Sequence, residues 1–183
     1  MFNLDRFLEE CVAARNESNA QPAMREVVQS AVSDVASLRR VLGEPTGAGF
    51  ETLYHSEDLT ILNFTWAPLM TLMPHNHNMW AVIGLYSGRE DNIFWRNRDD
   101  RIEAAGAKSM SVGDVATLGS DIVHSVTNPI GKLTSAIHVY GGDFFAPGRS
   151  EWDPETLVEK PFDIEKSRRI FKEANERFSL TQE

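Results

Sequence analysis

A single cysteine, Cys11, is present in the 183 residues. One thiol excludes a disulfide within the chain, so burial and hydrogen bonding must hold the fold, and a reducing cytoplasm is the expected compartment. Long apolar runs are missing too. No stretch approaches the roughly 20 consecutive apolar residues with which a helix crosses a bilayer. The opening Met1-Phe2-Asn3-Leu4-Asp5-Arg6 lacks the basic region, apolar core and small-residue cleavage site of a secretory signal, so none is expected. Basic residues are outnumbered, 18 Lys and Arg against 27 Asp and Glu, for a net charge of -9. That balance disfavours phosphate-backbone contacts, and neither nucleic acid nor membrane is an expected partner. The 42% hydrophobic and 25% charged fractions suit a globular protein of this length built as one domain with appendages.

Three textures follow one another along that domain, 1–183. In 1–45, Leu4, Phe7, Leu8, Cys11 and Val12 make one helical stripe. Cys11 lies on it and reads as a small buried hydrophobe rather than a reactive thiol. Pro22 suits the first turn of a second helix, whose face runs from Val27 through Val32 and Leu38 to Leu42 before Gly43 and Pro45 stop it. Two N-terminal helices are therefore expected. From 50 to 145 the pattern is of short strands between Gly, Asn, Asp and Pro, with candidates at 59–66, 70–79, 80–86, 91–96, 102–104, 108–110, 115–118, 124–127 and 133–140. Such close spacing predicts a mainly β sandwich or barrel, with hairpin turns at Ser87-Gly88 and at 97–100. The extension 146–183 carries a charged amphipathic helix over 163–178, expected on the outside of the barrel.

The chemistry-bearing stretch is Pro74-His75-Asn76-His77, read with the distant His124. Side chains alternate faces along a strand, so histidines two apart point the same way and make a ready pair of metal ligands. A third imidazole from a neighbouring strand would hold a divalent metal with positions left open, which is a catalytic arrangement rather than a closed structural one. Imidazole suits Fe, Zn and Ni alike. His55 has no partner at ligand spacing and reads as surface or loop.

The spacing around these residues resembles the cupin superfamily. His75-Asn76-His77 with Gly88 eleven residues after His77 is similar to the first cupin motif; Gly113, a turn at 119–121, His124 and Asn128 are similar to the second. The resemblance implies a cupin double-stranded β-helix, a jelly-roll barrel, over about half the chain. The glutamate ligand usual in the first motif falls at Ala81, which leaves three histidines. That variant resembles the thiol dioxygenases, meaning cysteine dioxygenase and the 3-mercaptopropionate dioxygenases, whose three histidines hold ferrous iron. His138-Val139-Tyr140 resembles that family's His-x-Tyr pair, with Tyr140 expected to bond bound oxygen or a substrate carboxylate and His138 to orient its hydroxyl. Three departures stand beside these matches. The family's serine two residues before the histidine is Ala136, the crosslinking cysteine position is Val82, and no Arg or Lys occurs in 49–74 to hold a carboxylate. In the mercaptopropionate branch a downstream arginine serves instead, and Arg149 is similarly placed. An arginine there would pair with a carboxylate in bidentate fashion.

The resulting expectation is a non-haem iron enzyme oxidising a small thiol with O2 to its sulfinate, with Fe(II) bound by His75, His77 and His124, Tyr140 and His138 in catalytic roles, and Arg149 binding substrate. Zn or Ni is the alternative metal, and the chain is expected as monomer or homodimer. The rival readings are a metal-dependent cupin of another class, an isomerase or different oxygenase, and a non-enzymatic small-ligand-binding cupin.

Overall fold

The computed structural model of the chain describes residues 1–99 and 101–180. Three helices come first. α1 (Leu4–Arg15) is capped by Asn3, whose side chain accepts from the Arg6 N–H at 2.8 Å. The second expected helix is divided into α2 (Ala20–Ser33) and α3 (Val35–Leu42). Asp34 leaves helical geometry and its carboxylate takes the Ser37 N–H at 3.2 Å, so a new N-cap outcompetes continuation of the helix.

Strands β1 (Gly49–His55), β2 (Thr60–Trp66), β9 (Thr134–Tyr140), β4 (Ala81–Ser87) and β7 (Val115–Leu118) form one sheet in that order. The second sheet orders β11 (Glu159–Pro161), β10 (Ser150–Trp152), β3 (Thr71–Asn76), β8 (Val123–Thr127), β5 (Arg89–Arg98) and β6 (Arg101–Ser111). The strand pairs among the described residues are antiparallel, and from β2 to β10 the chain crosses repeatedly between the sheets, with β5 and β6 consecutive in the second. This is the jelly-roll, double-stranded β-helix architecture expected from the sequence.

Several boundaries differ from those expected. The pieces at 102–104 and 108–110 are one continuous strand, β6, and β1 was not anticipated. Ser87-Gly88 is no hairpin: β4 and β5 belong to different sheets, and Gly88 (φ 75°) makes the corner between them. A Cβ there would stand 2.9 Å from the Thr134 Cα, so only glycine fits this close approach of backbones.

The period of two sorts each strand of the first sheet onto two cores. Ile61, Val82, Tyr86, Ile137 and Val139 meet Phe7, Cys11, Met24 and Val28 of the helices. Leu62, Phe64, Trp66, Ile83, Ala136 and Tyr140 face the barrel interior. The final helix, α4 (Ile164–Leu180), is not on the barrel's outer wall as expected. Its Phe171 and Ala174 join the interior cluster, with Phe171 stacked on Trp66 at 5.4 Å between ring centroids. Two latches fix it: Asn175 exchanges both amide hydrogen bonds with the Ala48 backbone, and Lys166 pairs with the buried Glu151 of β10.

Candidate metal centre and its pocket

β3 and β8 pair so that His75 lies directly opposite His124. The register slips between Leu72 and His75, where Met73 and Pro74 form an irregularity, and His77 follows just beyond the strand end. Proline fits such a break because it has no N–H to give to the ladder. The three imidazoles converge: their candidate donor atoms all lie within 4.8 Å of one another, and all three residues are buried.

Hydrogen bonding fixes which nitrogen faces the centre. A carbonyl only accepts, so His75 Nδ1–H donates to the Met73 oxygen at 2.9 Å and its Nε2 carries the lone pair. His124 Nδ1 is 2.7 Å from Asn92 Oδ1, which likewise leaves Nε2 free. The Nε2 atoms of His77 and His124 stand 3.4 Å apart. Burial pushes His75 down to about 4 and holds His77 and His124 well below the ordinary imidazole range. The two Nε2 atoms either share a hydrogen or, with the His77 lone pair also turned inward, repel unless a cation lies between them. The donor set therefore fits a divalent metal ion held by three neutral nitrogens.

β9 places His138 and Tyr140 on the same interior face, and His138 Nδ1 is 3.0 Å from the Tyr140 hydroxyl. Tyr140 also meets the His77 ring, at 5.0 Å between centroids, so the pair sits beside the three imidazoles. Burial raises the Tyr140 phenol above its ordinary range and depresses His138 to about 3, so both are neutral. Ser135 points to the opposite face and bonds Thr65, as alternation requires.

Arg149 is 7% exposed and enters the same cavity. Its guanidinium is clamped between the rings of Phe144 and Phe162, 4.3 Å from each centroid, and its Nη1 has no hydrogen-bond partner. Burial lowers its affinity for the proton, with Tyr140 and Asp143 opposing. The cavity is small, about 30 Å³, in a measure where one water needs about 10–15 Å³. Phe50, Phe64, Trp66 and Phe171 complete an aromatic wall, and Ser167 of α4 turns an unpartnered buried hydroxyl in the same region. No carboxylate lines it among the described residues.

The structure thus brings together all six residues singled out from the sequence. It also adds residues that the sequence reading passed over: Phe144, Phe162, Ser167 and Phe171 around the cavity, and Glu90 and Asn92 of β5 behind it. Asn92 and Glu90 alternate inward with Phe94 on β5, and that period was the one available signal. Asn128 proves to be a loop clamp, donating to the Ala67 and Lys132 carbonyls and accepting from Thr134. His55, at the end of β1, bonds Asp143 at 2.8 Å, away from the centre.

No protein-family profile matches the chain. Among solved structures it is similar to an RmlC-like cupin family protein with a double-stranded β-helix fold from Methanocaldococcus jannaschii, with 11% identity, a TM-score of 0.47, and coverage of 55% of this chain and 85% of that one. A cupin superfamily protein from Desulfitobacterium hafniense gives 11% identity, a TM-score of 0.44, and coverage of 55% and 83%. An oxalate decarboxylase variant from Bacillus subtilis gives 17% identity and a TM-score of 0.44, matching 56% of this chain and 27% of that longer one. The first two of these neighbours are described as cupin proteins, one of them with a double-stranded β-helix fold.

Proposed function

We propose that this chain is a metal-dependent cupin enzyme, a non-haem iron dioxygenase that oxidises a small carboxylate-bearing thiol to its sulfinate. The observation that carries this reading is the buried guanidinium of Arg149, whose Nη1 has no hydrogen-bond partner, in the same aromatic cavity as the three converging imidazoles. A buried charged nitrogen without an acceptor is costly, so the cavity suits a ligand that brings an acceptor of opposite charge to Nη1. His75, His77 and His124 would hold the ion; Fe(II) bound there would supply open positions for thiol and dioxygen together with the redox chemistry of sulfur oxidation. The aromatic wall excludes water, and Phe144 and Phe162 keep the guanidinium from turning away from its anion. His138 and Tyr140 place a neutral hydroxyl beside the centre. A zwitterionic amino acid would bury its ammonium without a partner, because no carboxylate lines the cavity among the described residues. That favours 3-mercaptopropionate or a similar desamino thiol acid over cysteine. Cys11, buried under the helices in the other core, is held apart from this chemistry.

The test is oxygen uptake by protein loaded with Fe(II) and supplied with 3-mercaptopropionate, cysteine or a carboxylate-free thiol. Uptake with matching sulfinate formation, fastest for the desamino acid, is the expected result. No uptake with any thiol on fully iron-loaded protein overturns the reading. Turnover that persists after Zn(II) or Ni(II) replaces iron would instead favour Lewis-acid chemistry in a cupin of another class.

A further inference from the structure

Glu90 lies inside the barrel with no exposed surface. Its carboxylate oxygens face hydrogen-bond donors. Trp66 Nε1–H donates to Oε2 at 3.0 Å, and the Asn92 amide donates to Oε1 at 2.9 Å. A second ring nitrogen, His138 Nε2, stands 3.9 Å from Oε2 and has no hydrogen-bond partner of its own. The polarity of the Asn92 contact is forced from the metal side. Nε2 of His124 must keep its lone pair for the metal, so Nδ1–H donates to Asn92 Oδ1, and Asn92 can then only donate to Glu90. An ionised Glu90 accepts from all three groups, whereas a protonated one would accept from Trp66 and Asn92 and give its own hydrogen to His138 Nε2. Burial raises this carboxyl above its ordinary range, with the hydrogen bonds from Asn92 and Trp66 opposing.

The ionised form decides between the two tautomers of His138. With hydrogen on Nδ1, the ring would turn an Nε2 lone pair toward an anion. With hydrogen on Nε2, the N–H points at the carboxylate, a shift of about 1 Å completes the bond, and the Nδ1 lone pair receives the Tyr140 hydrogen.

We propose that Glu90 is a positioning residue of this centre: through Asn92 it fixes the His124 lone pair toward the metal, and it holds His138 as the Nε2–H tautomer, so that Tyr140 gives its hydroxyl hydrogen to His138 and turns its oxygen lone pairs to the cavity. Tyr140 consequently meets a ligand as an acceptor, leaving Arg149 to bind the anion. The proposal rests on the metal-centre part of the reading above but not on thiol oxidation.

The experiment is a long-range proton–nitrogen correlation spectrum of the histidine rings in Zn(II)-loaded full-length protein, together with a Zn(II) competition titration, for wild type and Glu90→Gln. A glutamine must present its NH2 to one of two donors, so it cannot satisfy both. The expected results are an Nε2-protonated His138 in the wild type, a move toward Nδ1–H in the variant, and Zn(II) binding weakened about tenfold or more. An Nδ1-protonated His138 in the wild type overturns the proposal, and that measurement decides the matter even if Glu90→Gln does not fold. In a folded variant, an unchanged tautomer overturns the His138 arm and an unchanged affinity overturns the His124 arm. Neither readout involves a thiol or oxygen, so failure of the proposed oxidation leaves this test intact.

Discussion

At the scale of single residues, the interior sets imidazoles and a phenol that burial keeps neutral beside the guanidinium of Arg149 and, on the proposal above, the carboxylate of Glu90. His138 is driven from its ordinary 6.5 down to about 3, chiefly by desolvation. Above about pH 6.5 it is uncharged both folded and unfolded; below that, the unfolded chain takes a proton that the folded chain refuses. Its contribution is therefore fully present at neutral pH and is lost as pH falls toward 3, on the order of 1 kcal/mol per pH unit. Urea unfolding of the metal-free protein between pH 7 and pH 5 should show the midpoint falling with acid, and less steeply in His138→Gln. Arg149 makes a different prediction. If its guanidinium holds the substrate carboxylate, Arg149→Gln removes a charge-assisted pair worth about 1.5–3 kcal/mol, and KM for a thiol acid should rise about 10-fold to 100-fold. KM for a thiol without a carboxylate should move little, and steady-state oxygen uptake on both substrates separates the two outcomes.

At the scale of elements, the strand period places the site and α4 closes it. Alternation along β9 sends His138 and Tyr140 inward while Ser135 and Val139 go outward, and this much could be read from the sequence because a period of two needs no knowledge of partners. His75 and His77 were legible as a pair two residues apart, although His77 joins the centre from just beyond the end of β3 and not along it, and His124 was legible from its spacing to a glycine and an asparagine. Asn92 and Glu90 were not. A glutamate in a run of charged and polar residues, Arg89 to Asp91, reads as a solvated edge, and only the pairing of β5 with β8 shows that its inner face is covered. The place of α4 was equally hidden. An amphipathic helix says that one face is buried but not against what, and here the partner is the aromatic interior, not the outer sheet. Phe171→Ala should destabilise the fold by about 3 kcal/mol through loss of its stack on Trp66, read from chemical unfolding. Because that ring also walls the cavity, the variant should release bound metal to a chelator faster than wild type.

At the scale of the whole molecule, the barrel is held by two cores on either side of one sheet, with a centre whose ligands come from two neighbouring strands and a loop. An ion bound only by the folded state stabilises it by mass action, about 2.7 kcal/mol at a free concentration near 100 times Kd. Unfolding with and without chelator should show that increment in wild type and its loss in His77→Ala. Cys11 belongs to the other core, wholly buried between α1 and the outer face of the sheet, where desolvation also raises its thiol above the ordinary range. As the chain's one sulfhydryl, it can react with a disulfide reagent only when the helical layer comes away. Its labelling rate is then a clock for opening of that layer, read independently of anything that happens at the metal, and comparing the two reports whether the halves of this molecule come apart together or in turn.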